Sequence, residues 1–185
     1  MEARHLIIVC GVPGAGKSTF AHRMVDRWEA VSFASETFAD ELGAAGRTSA
    51  GDLTKEAIVH AYSAMGAAVT AALATGKLVI AVGSFRAEDQ RRRFRDIARS
   101  SGASVTTLRV VCPVEMAAER VRARIALGER GPTETTIRQI DAVLSQASDI
   151  DVVLTNDSSI ESFHRLADGM IERLRSKSVR RDGHC

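Results

Sequence analysis

Aromatic residues, prolines, cysteines and lysines are all scarce in this chain of 185 residues. Phe, Trp and Tyr make up 4% of the sequence, with one Trp and one Tyr, and there are three Pro and three Cys. So few aromatic side chains argue against a surface on which successive nucleic-acid bases stack. Hydrophobic residues still make up 45% of the chain, so we expect one domain with a core that needs neither disulfides nor a structural metal.

The three cysteines, Cys10, Cys112 and Cys185, are an odd set without the spacing of a zinc site. Two of them lie in apolar, strand-like runs, which predicts buried thiols in a reducing compartment. No apolar run approaches the length of a membrane helix, and no charged leader precedes one. We therefore expect a cytoplasmic protein that is neither secreted nor inserted in a membrane.

Charge is distributed unevenly along the chain. The net charge is +2, but residues 1–85, 86–138 and 139–185 carry −1, +5 and −2. The middle block contains twelve arginines and no lysine. The planar guanidinium binds phosphate and carboxylate groups in a two-pronged manner. Two interpretations stay open: the block contains an anion site, or its arginines are solvated faces of helices.

Short apolar runs alternate with helical patterns along the whole chain. The runs that predict strands are 6–10, 31–34, 78–82, 105–111 and 151–154. Strands that are apolar on both faces are typical of a parallel sheet covered by helices on both sides. We expect an α/β fold with a five-stranded parallel sheet, one domain over residues 1–176 and a flexible tail over 177–185. Asp52 is the predicted cap of the long helix that ends near Gly76, and a capping box that begins at Ser158 is predicted for the last helix.

A segment between the first strand and the first helix satisfies the pattern G-x-x-x-x-G-K-[ST]. Its residues are Gly11, Val12, Pro13, Gly14, Ala15, Gly16, Lys17 and Ser18. Such a loop points consecutive backbone N–H groups at phosphate groups, and the start of the following helix adds to the positive field. Lys17 would bind the β- and γ-phosphates of ATP, Ser18 would ligate Mg²⁺, and Thr19 would hydrogen-bond the α-phosphate.

The remaining sequence narrows the class of nucleotide-binding protein. A GTPase reads guanine with N-K-x-D, and no Asn-Lys pair occurs in the chain. Motor ATPases carry larger modules. The segments 11–19, 35–36, 78–98 and 120–124 together resemble the small-molecule and nucleic-acid kinases of the P-loop class, specifically the zeta-toxin-like group of predicted AAA kinases. The resemblance implies a three-layer P-loop NTPase fold, ATP and Mg²⁺ as cofactors, and a short lid at about residues 124–133.

The resemblance assigns the carboxylate after the second strand to the acceptor. The matching residue is Glu36, which would orient or deprotonate the acceptor hydroxyl; Asp40 and Glu41 stay open as alternatives. Related kinases have Asp at this position and Arg three residues later, where this chain has Ala39. They also end the third strand with an Asp that helps to hold Mg²⁺, and the matching residue here is Val82.

Arginines of the basic block complete the predicted site. Gly83-x-x-Arg86-x-x-x-Gln90 resembles the segment with which adenylate kinases hold the acceptor, which implies substrate contacts by Arg86, Gln90 and Arg91. Arg120 and Arg124 share one helix face before a glycine-containing break, as the lid arginines of P-loop kinases do, and would stabilise charge on the transferred phosphoryl group.

These features predict an ATP- and Mg²⁺-dependent phosphotransferase that acts on a small hydroxyl- or phosphate-bearing acceptor. Two alternatives stay open. One is a kinase for nucleotides or polynucleotide ends, although nucleic acid is not favoured as a partner. The other is a non-catalytic ATP-binding switch, which the absence of an acid at Val82 suggests. The sequence does not indicate an oligomeric state.

Overall fold

The computed structural model describes residues 4–42 and 53–182, which form a five-stranded parallel sheet surrounded by helices. Each predicted strand is present within one residue of its expected bounds. The strands are β1 His5–Cys10, β2 Val31–Ala34, β3 Leu78–Val82, β4 Ser104–Val111 and β5 Val152–Thr155. Their order is β2-β3-β1-β4-β5, and every pairing is parallel. The predicted α/β fold is therefore confirmed.

Seven helices connect and cover the strands in the described residues. They are α1 Lys17–Trp28, α2 Ser35–Asp40, α3 Lys55–Leu73, α4 Glu88–Ser100, α5 Val114–Ala126, α6 Glu134–Ser145 and α7 Ile160–Asp182. α1 packs against α7, and α3 packs against α4. In the central strand β1, all side chains from Leu6 to Cys10 are fully buried. Helices must therefore cover both faces of the sheet, because a one-sided sheet would leave alternate residues exposed.

Three helix ends, one of α3 and both of α7, differ from the sequence expectations. Thr54 caps α3, its hydroxyl accepting a hydrogen bond from the Ala57 N–H at 3.1 Å; the expected cap, Asp52, lies outside the described residues. At α7 the cap is Ser159 and not Ser158, since the Ser159 hydroxyl accepts from the Ser162 N–H. The same helix continues through Asp182, beyond the predicted boundary at residue 176, and the sequence from 171 to 182 contains no Gly or Pro to stop it.

Two further observations concern the cysteines and the possibility of a membrane helix. Cys10 is buried in β1, where burial raises its pKa to about 11, and Cys112 follows β4 as a half-buried free thiol. Among the helices of the described residues, none is long and apolar enough to cross a membrane.

Candidate active site

The loop between β1 and α1 has a backbone that only glycine adopts easily. Gly14 and Gly16 have φ angles of 85° and 106°. A Cβ atom at Gly14 would lie 2.3 Å from the carbonyl oxygen of Ala117, and one at Gly16 would lie 2.2 Å from Nδ2 of Asn156. The two glycines therefore allow the loop to pass close to α5 and to the residue after β5.

Lys17, the first residue of α1, folds back over this loop. Its Nζ donates a hydrogen bond to the carbonyl oxygen of Val12 at 2.8 Å. Burial lowers the pKa of Lys17 to about 8, although the Glu36 carboxylate acts in the opposite direction. The ammonium group therefore stays charged at neutral pH and lies among the backbone groups that would surround a phosphate.

A cavity of about 870 Å³ opens from this loop at the carboxyl ends of the strands. Open parallel sheets bind ligands at this edge. The predicted site residues on its wall are Pro13, Gly14, Gly16, Lys17, Ser18, Thr19, Glu36, Arg86, Gln90, Arg120 and Arg124. The remaining loop residues, Gly11, Val12 and Ala15, are buried and do not line it.

The charged side chains on the cavity wall are almost all positive. Its cations are Lys17, Arg86, Arg120, Arg124 and Arg130. Among the described residues, Glu36 is the single carboxylate that lines the cavity. Five cations against one anion give a net charge of +4, so the cavity is suited to an anionic occupant.

The predicted lid arginines of α5 both line the cavity, and one of them contacts the phosphate loop. Arg120 Nη1 donates to the carbonyl oxygen of Gly14 at 3.2 Å, and Arg124 lies on the same face of the helix, 3.9 Å from the Glu129 carboxylate. Arg122 points elsewhere and pairs with Glu134 at 2.8 Å. The predicted lid overlaps the end of α5 and the loop of residues 127–133 that leads to α6.

Arg91 is placed differently from the predicted contact with the acceptor. Its side chain is 3% exposed, it does not line the cavity, and it forms an ion pair with Asp149 at 2.6 Å. Its Nη1 also donates to the carbonyl oxygens of Phe85 and Arg86, at 2.7 and 3.1 Å. The correction follows from helix geometry, because position 91 lies on the core face of α4 with Phe94 and Ala98.

Gln90, a predicted contact of the substrate, lines the cavity, and its side chain also caps the start of α4. Its Oε1 accepts a hydrogen bond from the Ala87 N–H at 3.2 Å. This contact fixes the amide close to the backbone that carries Arg86, where it borders the cavity beside that side chain.

The three carboxylates considered for the acceptor side, Glu36, Asp40 and Glu41, lie in different places. Glu36 lies in the first turn of α2 on the cavity wall. Asp40 lines a smaller cavity of about 370 Å³ that also includes Glu36, Arg124 and Arg130. Glu41 instead pairs with His60 at 3.2 Å. Of the three carboxylates, Glu36 is therefore the one on the wall of the larger cavity.

The end of β3 contributes no acid, in agreement with the sequence. Val82 is the last residue of the strand, is almost fully buried and borders the cavity with its apolar side chain. In the described part of the chain, no group of three or more His, Cys, Asp or Glu residues is arranged to hold a metal ion. The Ser18 hydroxyl on the cavity wall fits Mg²⁺ that arrives with a nucleotide, because Mg²⁺ takes most of its ligands from phosphate and water.

Several residues outside the main predicted set also line the cavity. Asn156 after β5 is buried, and its Nδ2 donates to the carbonyl oxygen of Ala15 at 2.8 Å, so it supports the phosphate loop. Tyr62 lines the cavity, and its hydroxyl accepts a hydrogen bond from the Phe85 N–H at 2.8 Å. His22 and Arg130 also line the cavity. The one sequence signal for Asn156 is its position directly after a strand.

Comparisons with solved structures identify the fold. A gluconokinase from Sinorhizobium meliloti 1021 superposes with a TM-score of 0.71, at 17% identity and full coverage of both chains. The Mycobacterium tuberculosis APS kinase CysC, in complex with AMPPNP and APS, gives a TM-score of 0.69 at 18% identity, covering 94% of this chain and 99% of that one. Chaetomium thermophilum Kti12, in complex with ADP-AlF3, gives 0.64 at 19% identity, covering 90% and 97%. At such identities the likeness establishes the kinase-like P-loop fold alone.

Sequence comparison gives one further result. No curated protein matches the chain significantly. A family model described as an AAA domain matches residues 6–149, a region that runs from β1 to the segment before β5 and includes the phosphate loop and both cavity arginines of α5. The predicted membership among P-loop kinase-like proteins is thereby confirmed, and the chain belongs to this AAA domain family.

Proposed function

We propose that the protein is an ATP- and Mg²⁺-dependent phosphotransferase that acts on a small acceptor. The observation that carries the proposal is the cavity itself, whose wall, in the described part of the chain, combines the phosphate loop, four arginines and a single carboxylate. Phosphoryl transfer needs this combination, because catalysis rests on positioning and on stabilising negative charge. The coverage of kinase structures over nearly the whole chain supports the same reaction class.

The proposal gives roles to the phosphate loop, Ser18, Glu36 and the two arginines of α5. The loop amides and Lys17 bind the β- and γ-phosphates, and Ser18 with the phosphates would hold Mg²⁺, which would neutralise phosphate charge. The acceptor oxygen bonds to the γ-phosphorus, while the bond from that phosphorus to the β–γ bridging oxygen breaks and ADP leaves with the electron pair. The hydroxyl proton moves to Glu36. Arg120 and Arg124 bind the charge that develops on the transferred group.

The aromatic content of the cavity favours a small acceptor over a polynucleotide end. Tyr62 is the single Phe, Tyr or Trp on the cavity wall within the described residues. Its ring packs edge-on against Phe85, with centroids 4.9 Å apart, and its hydroxyl is engaged by the Phe85 N–H. The ring is therefore part of the core and is poorly placed to stack on a base.

Acceptor profiling with γ-labelled ATP tests the proposal. The purified protein is incubated with Mg²⁺, labelled ATP and a panel of sugars, sugar acids, nucleosides, nucleotides, antibiotics and oligonucleotide ends. We expect label transfer to at least one small acceptor, loss of transfer in Lys17→Ala, and full transfer in the exposed control Lys77→Ala. Tight binding of MgATP without transfer to any acceptor would favour the non-catalytic switch instead.

A further inference from the structure

Among the described residues, two arginines of the basic block line the cavity with neither a carboxylate partner nor a hydrogen bond to the phosphate loop, unlike Arg120, which has no carboxylate partner but donates to the Gly14 carbonyl oxygen. Seven arginines between residues 86 and 138 lie within ion-pair distance of a carboxylate: Arg91, Arg95, Arg99, Arg109, Arg122, Arg124 and Arg138. Arg86 and Arg130 line the cavity, and in the described residues neither has a carboxylate within that distance. Most arginines of the block are thus neutralised by the scaffold, whereas these two are directed at the cavity without compensation.

The two arginines reach the cavity from different loops. Arg130, in the loop between α5 and α6, also lines the smaller cavity that includes Glu36 and Asp40. Arg86 lies on the loop after β3, on a different wall of the large cavity. Neither belongs to the phosphate loop or to α5, whose residues Lys17, Arg120 and Arg124 the proposed function assigns to the nucleotide.

The backbone that carries Arg86 is held firmly. Arg91, itself fixed by Asp149, donates to the carbonyl oxygens of Phe85 and Arg86. On the other side, the Phe85 N–H donates to the buried Tyr62 hydroxyl. The loop is therefore anchored at both faces, so that the position from which the Arg86 side chain starts is set before any ligand arrives.

The charge of the cavity exceeds what the nucleotide supplies. The wall carries a net charge of +4 in its charged side chains. ATP with Mg²⁺ bound has a net charge of about −2 at neutral pH. About two positive charges are left over, and Arg86 and Arg130 are the two cavity cations that the proposed function does not assign to the nucleotide. A second anionic group near Glu36 would compensate them.

We propose that Arg86 and Arg130 form a second anion subsite and that the acceptor is itself an anion: a small molecule with a phosphate, sulfate or carboxylate group in addition to its reacting hydroxyl. The identification of this anion as the acceptor rests on the proposed transferase function. The subsite itself does not depend on turnover. It predicts that ATP and a second anion bind at the same time, because different cations contact them.

Sulfate binding to the protein saturated with MgAMPPNP tests the subsite. The analogue fills the phosphate loop, so sulfate measured by calorimetry or thermal shift reports on another site. We expect one sulfate to bind per chain, with at least tenfold weaker binding in Arg86→Gln and in Arg130→Gln. The control is Arg92→Gln, since Arg92 is exposed on α4 and does not line the cavity. The control should bind sulfate as the unmodified protein does.

Two results would overturn the subsite. One is no uptake of sulfate by the MgAMPPNP complex, and the other is equal uptake by the two arginine variants and the control. Transfer of labelled phosphate is then compared for matched pairs, such as glycerol with glycerol 3-phosphate. A preference for the neutral member of each pair would refute the anionic acceptor. Sulfate binding that depends on both arginines, together with no transfer at all, would refute the transferase and leave the subsite in place.

Discussion

Arg91 and Asp149 form a two-pronged ion pair that joins α4 to the segment before β5. Nη2 lies 2.6 Å from Oδ1, and Nε lies 2.8 Å from Oδ2. The remaining guanidinium nitrogen donates to the loop that carries Arg86. One buried cation therefore connects three segments of the chain, and it keeps the pKa of Asp149 below its usual value through these hydrogen bonds.

Replacing Arg91 should lower the stability of the fold, and not only the affinity for a substrate. In Arg91→Met the partly buried Asp149 carboxylate, the buried Phe85 carbonyl and the partly buried Arg86 carbonyl lose their donor. We expect the free energy of unfolding to fall by about 3 kcal/mol, as for other buried ion pairs broken on one side. Urea denaturation followed by circular dichroism measures the change.

Arg92→Met is the matched control, because Arg92 is next to Arg91 on α4 but its side chain is exposed. Its unfolding free energy should stay within about 0.5 kcal/mol of the unmodified protein. Arg91→Lys should restore little, since an ammonium group cannot make the two-pronged contact. If Arg91→Met and Arg92→Met unfold at the same urea concentration, the anchoring role of Arg91 is wrong.

Gly14→Ala should damage the phosphate loop more than its backbone conformation alone predicts. The new Cβ would lie 2.3 Å from the carbonyl oxygen of Ala117, which belongs to helix α5 and cannot rotate away. Gly102→Ala is the control, because Gly102 also has a positive φ, of 63°, but no atom within 4 Å of the new Cβ. Left-handed alanine costs about 1–2 kcal/mol, which is the expected loss for the control.

For Gly14→Ala we expect a larger loss of stability than in Gly102→Ala, together with at least tenfold weaker binding of ATP. Thermal denaturation and calorimetry measure the two effects. Unchanged ATP affinity in Gly14→Ala would contradict the role given to this loop.

The affinity for ATP should fall as the pH rises through about 8. Burial lowers the pKa of Lys17 to about 8 in the free protein, whereas a bound polyphosphate raises it by surrounding the ammonium group with negative charge. Binding above pH 8 must therefore include uptake of a proton, and the affinity falls by up to about tenfold per pH unit. Calorimetry at pH 9 in buffers of different ionisation enthalpy measures the proton directly.

Lys17→Arg removes this titration, since a guanidinium stays protonated. Its ATP affinity, whatever its size, should be independent of pH in the same range. Without nucleotide the dependence reverses: the lowered pKa means that the unfolded chain binds the proton more tightly, so stability contributed by Lys17 increases from about pH 8 to pH 10.5. Equal proton uptake in both proteins would show that another group titrates.

Glu36→Gln should slow phosphoryl transfer while leaving ATP binding nearly unchanged. The amide keeps the shape of the side chain but cannot accept the proton of the acceptor hydroxyl. We expect the transfer rate to fall by ~10²-fold or more and the ATP affinity to change by no more than a few-fold. Glu41→Gln is the control, because Glu41 pairs with His60 and lies off the wall of the cavity. Equal rates in the two variants would exclude Glu36 as the base.

The fold was accessible from the sequence because its signals are local. Five apolar runs predict five strands, and the loop from Gly11 to Ser18 carries both its turn chemistry and its position before a helix. Most of the predicted cavity residues follow from the same logic, since the carboxyl ends of parallel strands meet at one edge.

The errors arise where a residue's role depends on a partner distant in the chain. Nothing near Arg91 indicates that Asp149, 58 residues later, takes its guanidinium into the core. The support that Asn156 gives to Ala15 joins residues 141 positions apart. Arg130 stands out for the opposite reason, because no carboxylate of the described residues pairs with it, and the sequence alone does not show this. Which arginine is neutralised is decided by tertiary packing, and periodicity alone does not show it.

The shortage of aromatic residues gives the molecule an intrinsic optical reporter. The single Tyr of the sequence, Tyr62, lies on the cavity wall, and the single Trp, Trp28, ends the helix that begins at Lys17, about 17 Å farther along its axis. In Trp28→Phe, ultraviolet emission from tyrosine would come from one ring at the site alone. Entry of a ligand into the cavity is then readable in solution without any attached dye.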